Sequence, residues 1–302
     1  MASLSSILRR ARTIRRRQKH LPFGRALAYD FLRTQLMYKY VYRRLKQKPA
    51  SEKLLGYKVD FFSYESFGFI MKEVFIDQSY YFQTKKKNPF IIDCGANIGL
   101  ASLYFKKLYP ESKVLCFEPD PDVFQKLETN IRQNNLTNIQ PEQKALSNQN
   151  GKLTFQRSET LTGELTADHP AWFGTSSGHL KNAGDKPATG EITVDTVKLS
   201  DYINEEVDFL KIDIEGAEHR VIEELAASGK IRHIKQLVME YHDEILAGSD
   251  RLSAMLRLLE ENGFAPIVGG ELPTPFQPLS RQCLLIYAYR KADYQQLTQL
   301  AA

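Results

Sequence analysis

The residues with the clearest chemical potential lie at the ends of short apolar runs. The first run, Phe90-Ile91-Ile92-Asp93-Cys94, is followed by Gly95-Ala96-Asn97-Ile98-Gly99. A glycine at position 95 lets backbone approach a ligand closely, and one at 99 lets a helix start pack tightly on the strand. The second run ends in Glu118-Pro119-Asp120. Glu118 lies about 20 residues beyond the glycine loop, the separation at which an acid on the next strand end reaches ribose hydroxyls. A nicotinamide fingerprint needs further glycines where this sequence has Asn97 and Leu100, so a pyrophosphate is disfavoured. An acid at the loop's start, one close-approach glycine and a ribose-binding acid suit the zwitterionic methionine and the ribose of S-adenosylmethionine. The expected cofactor-binding set is therefore Asp93, Gly95, Ala96, Asn97, Gly99, Glu118, Pro119 and Asp120.

Two further strand ends carry acids. In Lys211-Ile212-Asp213-Ile214-Glu215-Gly216-Ala217-Glu218, Asp213 is expected to face both donor and acceptor, because ligands in open α/β sheets sit beyond the carboxyl ends of the strands. Glu215 is expected beside it, whereas Lys211 and Glu218 are read as pairing or facing solvent. The next strand end, Val238-Met239-Glu240-Tyr241-His242, places His242 one strand away. Methyl transfer to a hydroxyl needs in-line alignment and removal of a proton, and a histidine suits the latter near neutral pH. The catalytic set is accordingly His242, Asp213 and Glu215. No metal is expected in the leading reading; the alternative uses Asp213, Glu240 and His242 as ligands of a divalent cation that acidifies the hydroxyl.

Together, Ile92–Gly99, Phe117–Pro121 and Lys211–Glu218 resemble the signature of the FkbM family of methyltransferases over roughly Val74 to Tyr289. The resemblance implies a class I methyltransferase fold, S-adenosylmethionine as cofactor, and O-methylation of a sugar, glycoconjugate or natural product. It also points to the turn around Gln143, Lys144, Ala145 and Leu146 as the adenine contact, with Lys144 and Ala145 in the cofactor-binding set.

The elements that must position these residues alternate. Strands are predicted at Phe90–Cys94, Lys113–Glu118, Asn138–Lys144, Val207–Asp213 and Gln236–Tyr241, with helices at Ile98–Tyr109, Pro121–Asn134, Ala217–Gly229 and Arg251–Asn262. Such a succession means a parallel sheet covered on both faces. Ala265–Val268 and Cys283–Tyr289 are expected as an antiparallel pair at the sheet edge. The fold class is thus α/β: a Rossmann-like, mainly parallel seven-stranded sheet with an antiparallel edge strand and an N-terminal helical extension. Residues 57–83 suggest short strands or a strand and a helix. Residues 157–190 form a polar, glycine-rich insertion containing Trp172 and Phe173, expected to cover the acceptor. Two regions follow: a basic helical extension over 1–56 and the methyltransferase domain over 57–302.

Charge is unevenly spread. Residues 1–48 hold fourteen Lys and Arg against the single Asp30, while the whole chain is only +5. The extension is expected to pack on the domain or on a second subunit in a homo-oligomer, an anionic membrane surface being the alternative partner. No apolar run is long enough for a transmembrane helix and no signal peptide is recognisable, so a cytoplasmic location is expected, peripheral to the membrane if the extension binds it. Cys94, Cys116 and Cys283 sit in apolar runs as free structural thiols. A nucleic-acid methyltransferase is the first alternative function, yet no Asn-Pro-Pro-aromatic or Pro-Cys motif is present and no nucleic-acid partner is expected. A membrane-binding protein without activity is the second; the joint presence of Asp93, Gly95, Gly99, Glu118 and Asp213 argues against it.

Overall fold

The computed structural model describes residues 4–45, 49–157, 178–180, 191–243, 251–269 and 282–293. Helix α1 (Leu4–Arg17) forms because Ile7, Ala11 and Ile14 recur at helical spacing and bury together, while its arginines stay outside. Gln18 extends the stripe and donates to Phe75 O and Ile76 O at 2.9 and 2.8 Å. Helix α2 (Gly24–Tyr40) buries Leu27, Ala28 and Phe31 in the same core. Strands β1 (Ser51–Leu54) and β2 (Tyr57–Asp60) pair antiparallel around a turn at Leu55 and Gly56, both of positive φ. The expected boundary at residue 56 therefore falls inside a hairpin. The basic segment shares one apolar cluster with Tyr64, Phe75, Ile91 and Tyr104, so it is continuous with the domain. The expected strand and helix over 57–83 are β2 and α3 (Tyr64–Met71), capped by Ser63 and continued by a π-helical turn over Lys72–Asp77.

The alternating region follows its predicted order. It comprises β3 (Phe90–Cys94), α4 (Leu100–Leu108), β4 (Lys113–Phe117), α5 (Pro121–Gln133) and β5 (Ile139–Glu142). After four strands described below it resumes with β10 (Phe209–Ile212), α6 (Glu218–Ala227), β11 (Gln236–Asp243), α7 (Arg251–Glu261), β12 (Phe264–Gly269) and β13 (Gln282–Arg290). The seven-stranded sheet has the order β12-β13-β11-β10-β3-β4-β5. Strands β11, β10, β3, β4 and β5 are mutually parallel, and β13 is antiparallel to both its neighbours. The closing pair does form the edge, but the antiparallel member is the inner one, with β12 outermost. One face packs against α1 to α5 through Ile91, Val114 and Phe209, the other against α6 and α7 through Ile92, Leu210 and Met239.

Between β5 and β10 the sequence reading saw an interruption, and a second sheet stands there. Strands β6 (Ala145–Leu146), β7 (Gly151–Arg157), β8 (Gly178–Leu180) and β9 (Glu191–Val197) lie in the order β6-β9-β7-β8. The predicted strand Asn138–Lys144 ends early at Glu142, and Ala145 opens the second sheet instead. Of the insertion at 157–190, only Arg157 and β8 belong to the described residues; Trp172, Phe173 and the expected cover over the acceptor lie outside them. No helix of the described residues is long and apolar enough to cross a membrane.

Candidate active site

The glycine loop leaves β3 at its carboxyl end and is tied down on both sides. Gly95 and Ala96 donate their N–H groups to Phe117 O at 3.0 and 2.9 Å, and Gly99 donates to Ala96 O. Asn97 N–H reaches Glu118 Oε2 at 3.0 Å, and Ile98 N–H reaches Asn97 Oδ1. Every backbone donor from Gly95 to Gly99 is thus engaged within the chain. A pyrophosphate cradle needs such donors free, so this loop is not built to hold one.

The two glycines are required for reasons partly different from those the sequence suggested. A Cβ on Gly95, at φ +77°, would stand 1.7 Å from Asp213 O, so this glycine allows the β3 loop to touch the end of β10. A Cβ on Gly99, at φ +93°, would meet Leu127 Cδ1 at 2.7 Å, so its close neighbour is α5 rather than the strand.

Beneath the loop lies a buried ion cluster. Lys211 pairs in register with Asp93 across β10 and β3, and both are almost wholly enclosed. Lys211 Nζ stands 3.3 Å from Asp93 Oδ1 and 3.4 Å from Asp213 Oδ2, and donates to Gly95 O at 2.6 Å. Burial opposes its charge, but Asp93, Asp213 and Glu73 outweigh that and hold it above the ordinary lysine value. The other Asp93 oxygen accepts from Ser102 Oγ at 2.7 Å. Asp93 therefore holds the loop from below, and Lys211, read as pairing or facing solvent, pairs here as the cluster's central cation.

Glu118, at the end of β4, is 1 % exposed, its two oxygens accepting from Asn97 N–H and Asp120 N–H at 3.0 Å each. Those bonds fix the carboxylate plane. Pro119 leads to Asp120, which caps α5 through Asp122 N–H and Val123 N–H, so Asp120 is occupied as a helix cap. At the next strand end Lys144 is held by Glu142 Oε2 and Tyr202 Oη, both at 2.8 Å, and Ala145 is buried at the foot of the second sheet.

Asp213, Glu215 and His242 come together as expected. Their ligand-type atoms lie within 4.8 Å of one another. Glu215, at φ +57°, and Gly216, at φ +103°, make a left-handed turn after β10; a left-handed non-glycine residue costs about 1–2 kcal/mol. Glu218, at the start of α6, staples that turn: its Oε1 accepts from Ile214 N–H at 3.3 Å and Gly216 N–H at 3.0 Å. The same oxygen lies 3.0 Å from His242 Nδ1. Glu218 is 1 % exposed; burial pushes its carboxyl up, but His242 and the backbone donors outweigh this and hold it below the usual range. His242 thus rests with Nδ1 on the Glu218 carboxylate, and its Nε2 faces Glu215 Oε2 at 3.6 Å and Glu240 Oε1 at 3.9 Å. Sequence reading did not assign Glu218 this place.

Glu240, the third member of the alternative metal triad, lies outside the group of atoms that come within 4.8 Å of one another, although its Oε1 is 3.9 Å from His242 Nε2. It turns to Tyr80 Oη at 3.3 Å, which also lies 3.1 Å from Glu73 Oε1 and 3.4 Å from Asp213 Oδ2. The Tyr80 ring sits under Lys211, whose Nζ is 5.1 Å from its centroid. Burial, then the charge of Asp213, raises the Glu73 carboxyl above its usual value despite bonds from Glu240 and Tyr80. Glu73 and Tyr80 come from the segment before β3, and no motif announced them. Cys94 and Cys116 are buried free thiols, pushed well up by burial and by Asp93, as expected of inert packing groups.

A family model, the methyltransferase FkbM domain, matches residues 93–266. Methyltransferase 1 of Beauveria bassiana is 31% identical over 212 residues, covering 66% of this chain and 82% of that protein. The 31-O-demethyl-FK506 methyltransferase FkbM of Streptomyces tacrolimicus is 30% identical over 219 residues, with the same 66% and 82% coverage. The 2-O-methyltransferase NoeI of Sinorhizobium fredii is 30% identical over 182 residues, covering 58% of this chain and 72% of that protein. The family match runs from the glycine loop through the acidic strand ends to β12, and the chain is a methyltransferase that belongs to the FkbM family.

Proposed function

We propose that this protein is an S-adenosylmethionine-dependent O-methyltransferase acting on a hydroxyl of a sugar, glycoconjugate or natural product. The observation that carries the reading is the relay from buried Glu218 through His242, whose Nε2 opens beside Asp213 and Glu215 at the strand ends next to the glycine loop. Two relatives named for O-methyl transfer support the chemistry.

The residues present fit the donor. Glu118 would meet the ribose hydroxyls with a carboxylate held in a fixed plane at the end of β4. The loop's inward-turned donors, with Asp213 and Glu215 nearby, favour a ligand of positive charge at the methionine end. Gly95, Ala96, Asn97 and Gly99 would form the wall at that end, with Asp93 supporting it through Lys211. Pro119, Asp120, Lys144 and Ala145 would border the ribose and adenine. When bound, this cofactor supplies a methyl group on a sulfonium, an electrophile that any well-placed oxygen can attack.

The chain's own contribution is placement and proton removal. His242 Nε2 accepts the hydroxyl proton as the oxygen gains its methyl group, and Glu218 stabilises the imidazolium that results. Asp213 and Glu215 orient the hydroxyl and add negative potential around it. A second reading is favoured by the convergence of Asp213, Glu215 and His242, because two carboxylates and an imidazole would also hold a divalent cation that acidifies the hydroxyl.

The deciding experiment incubates the purified chain with methyl-labelled donor and a panel of hydroxylated glycans and polyketides, reading label transfer by mass spectrometry with and without chelator. Transfer to oxygen that survives chelation is the expected result. Loss on chelation and recovery with Mg or Mn would select the cation reading, and absence of donor binding by calorimetry would overturn both.

A further inference from the structure

We propose that the outward face of α1 docks the protein on a membrane surface rich in anionic lipid. Six arginines, Arg9, Arg10, Arg12, Arg15, Arg16 and Arg17, lie on this helix and all are exposed. The helix contains no acidic residue, and among the described residues none of the six takes part in an ion pair. A charge run on a helix is commonly just a solvated face, so the charge alone decides nothing.

Three further observations do. The helix is a fixed part of the fold, because Ile7, Ala11 and Ile14 are buried and Gln18 is bonded to Phe75 O and Ile76 O. The arginine array is therefore presented rigidly. Leu4 and Leu8 are 46% and 38% exposed, and with Arg12 and Arg15 they follow each other at spacings of four, four and three residues, one outer stripe of the helix. Finally, of the nine large apolar residues exposed among the described residues, six (Leu4, Leu8, Tyr29, Tyr40, Val41 and Leu45) fall within this same basic segment.

A scattered exposed leucine is ordinary. Exposed aliphatic and aromatic side chains concentrated among arginines form the pattern of an interfacial helix, whose cations meet lipid phosphates while its apolar groups enter the headgroup region. The same pattern disfavours a nucleic-acid duplex, whose phosphates would satisfy the arginines and offer nothing to Leu4 and Leu8. Because the chain is net acidic outside the first 48 residues, a negative surface attracts one end of the molecule and repels the rest, which sets its orientation.

The test is cosedimentation of the full chain with vesicles of phosphatidylcholine, with and without a minority of phosphatidylglycerol, at low and raised salt. Expected are binding to the anionic vesicles alone and release by salt. Combined Arg12→Gln, Arg15→Gln and Arg16→Gln should weaken binding on the order of 100-fold, at about one fifth of the affinity retained per charge removed. Leu4→Ser with Leu8→Ser should weaken it several-fold, with the thermal midpoint of both variants unchanged. Equal partition to both vesicle types, or arginine variants that still bind, would overturn the proposal. So would insensitivity to the leucine changes together with tighter binding to duplex RNA or DNA, which would assign the face to nucleic acid.

Discussion

Replacing Glu218 by Gln removes one negative charge while leaving an oxygen where three donors converge. Ile214 N–H, Gly216 N–H and His242 Nδ1 all lie within 3.3 Å of Oε1. Glutamine can keep that oxygen in place, so the turn after β10 survives and the imidazole stays oriented; alanine would orphan all three. What disappears is the Coulombic support for the imidazolium. At 3.0 Å and an effective dielectric constant of about 20, a full pair of charges interacts by about 5 kcal/mol. With the proton partly transferred in the transition state and a neutral hydrogen bond returning about 1 kcal/mol, the net loss is about 2–4 kcal/mol. That corresponds to a kcat lower by roughly 30- to 1,000-fold. The interaction that holds the Glu218 carboxyl down favours proton uptake by His242 equally, so the variant should also move the ascending limb of the pH–rate profile toward lower pH. The assay is single-turnover methyl transfer against pH, with donor affinity measured separately. Stability gives a parallel check. A depressed carboxyl contributes above its unfolded pKa and loses that contribution as pH falls through the folded value, so wild type and variant should converge in acid. A variant with wild-type kcat and an unmoved limb would refute the relay; one with altered KM alone would make Glu218 a structural staple.

Three further outcomes follow from the cluster beneath the loop and from Glu118. Lys211→Met leaves Asp93 enclosed without its cation and should cost about 3–5 kcal/mol in urea unfolding; a loss under about 1 kcal/mol would show that the pair does not hold the two strands together. Gly95→Ala forces a Cβ into Asp213 O at positive φ and should cost about 3 kcal/mol or more, whereas Gly229→Ala, at φ +72° with nothing within 4 Å, should cost only about 1–2 kcal/mol. Equal thermal shifts for the two glycines would remove the close approach as the reason for Gly95. Glu118→Ala should weaken S-adenosylmethionine binding by about 2–3 kcal/mol in calorimetry, and an unchanged affinity in the folded variant would take Glu118 out of the ribose contact.

The parallel sheet was readable because its strands are apolar throughout and its helices carry clear stop signals. Phe90–Cys94, Pro121–Gln133 and Arg251–Glu261 fall within a few residues of their predicted positions. The gathering of Asp213, Glu215 and His242 was readable too, since all three stand beyond or at the ends of the neighbouring strands β10 and β11. The second sheet was missed although Leu153 and Phe155 alternate with polar residues in β7, as do Ile192 and Val194 in β9. That alternation is the mark of a half-buried sheet, but it is carried by two strands only, because β6 and β8 are two and three residues long and show no period. Lys211 carried a signal as well, because a lysine inside Phe209–Ile212 has to find a carboxylate. Glu73 and Tyr80 carried none: their role depends on a π-helical turn that brings them over β10 and β11 from more than a hundred residues away.

That long-range contact explains why the N-terminal region is built into the domain instead of trailing from it. Tyr80 has one proton to donate and three carboxylates, Glu73, Asp213 and Glu240, within 3.4 Å of its oxygen. One hydroxyl cannot satisfy three anions, and Lys211 already serves Asp93, Asp213 and the loop carbonyl. Burial and the neighbouring charge of Asp213 accordingly raise the Glu73 carboxyl above its usual value, the direction in which crowded buried acids are driven. The cost of gathering these acids is offset by the apolar packing of Phe75, Tyr104 and the α1 stripe directly behind them, which fixes the turn carrying Glu73. A site so constructed stays rich in negative charge at the strand ends, and its potential is lowered by a ligand that is itself a cation. The sulfonium centre of the proposed cofactor has that charge, so the carboxylates gathered at the ends of β10 and β11 would favour it by charge alone.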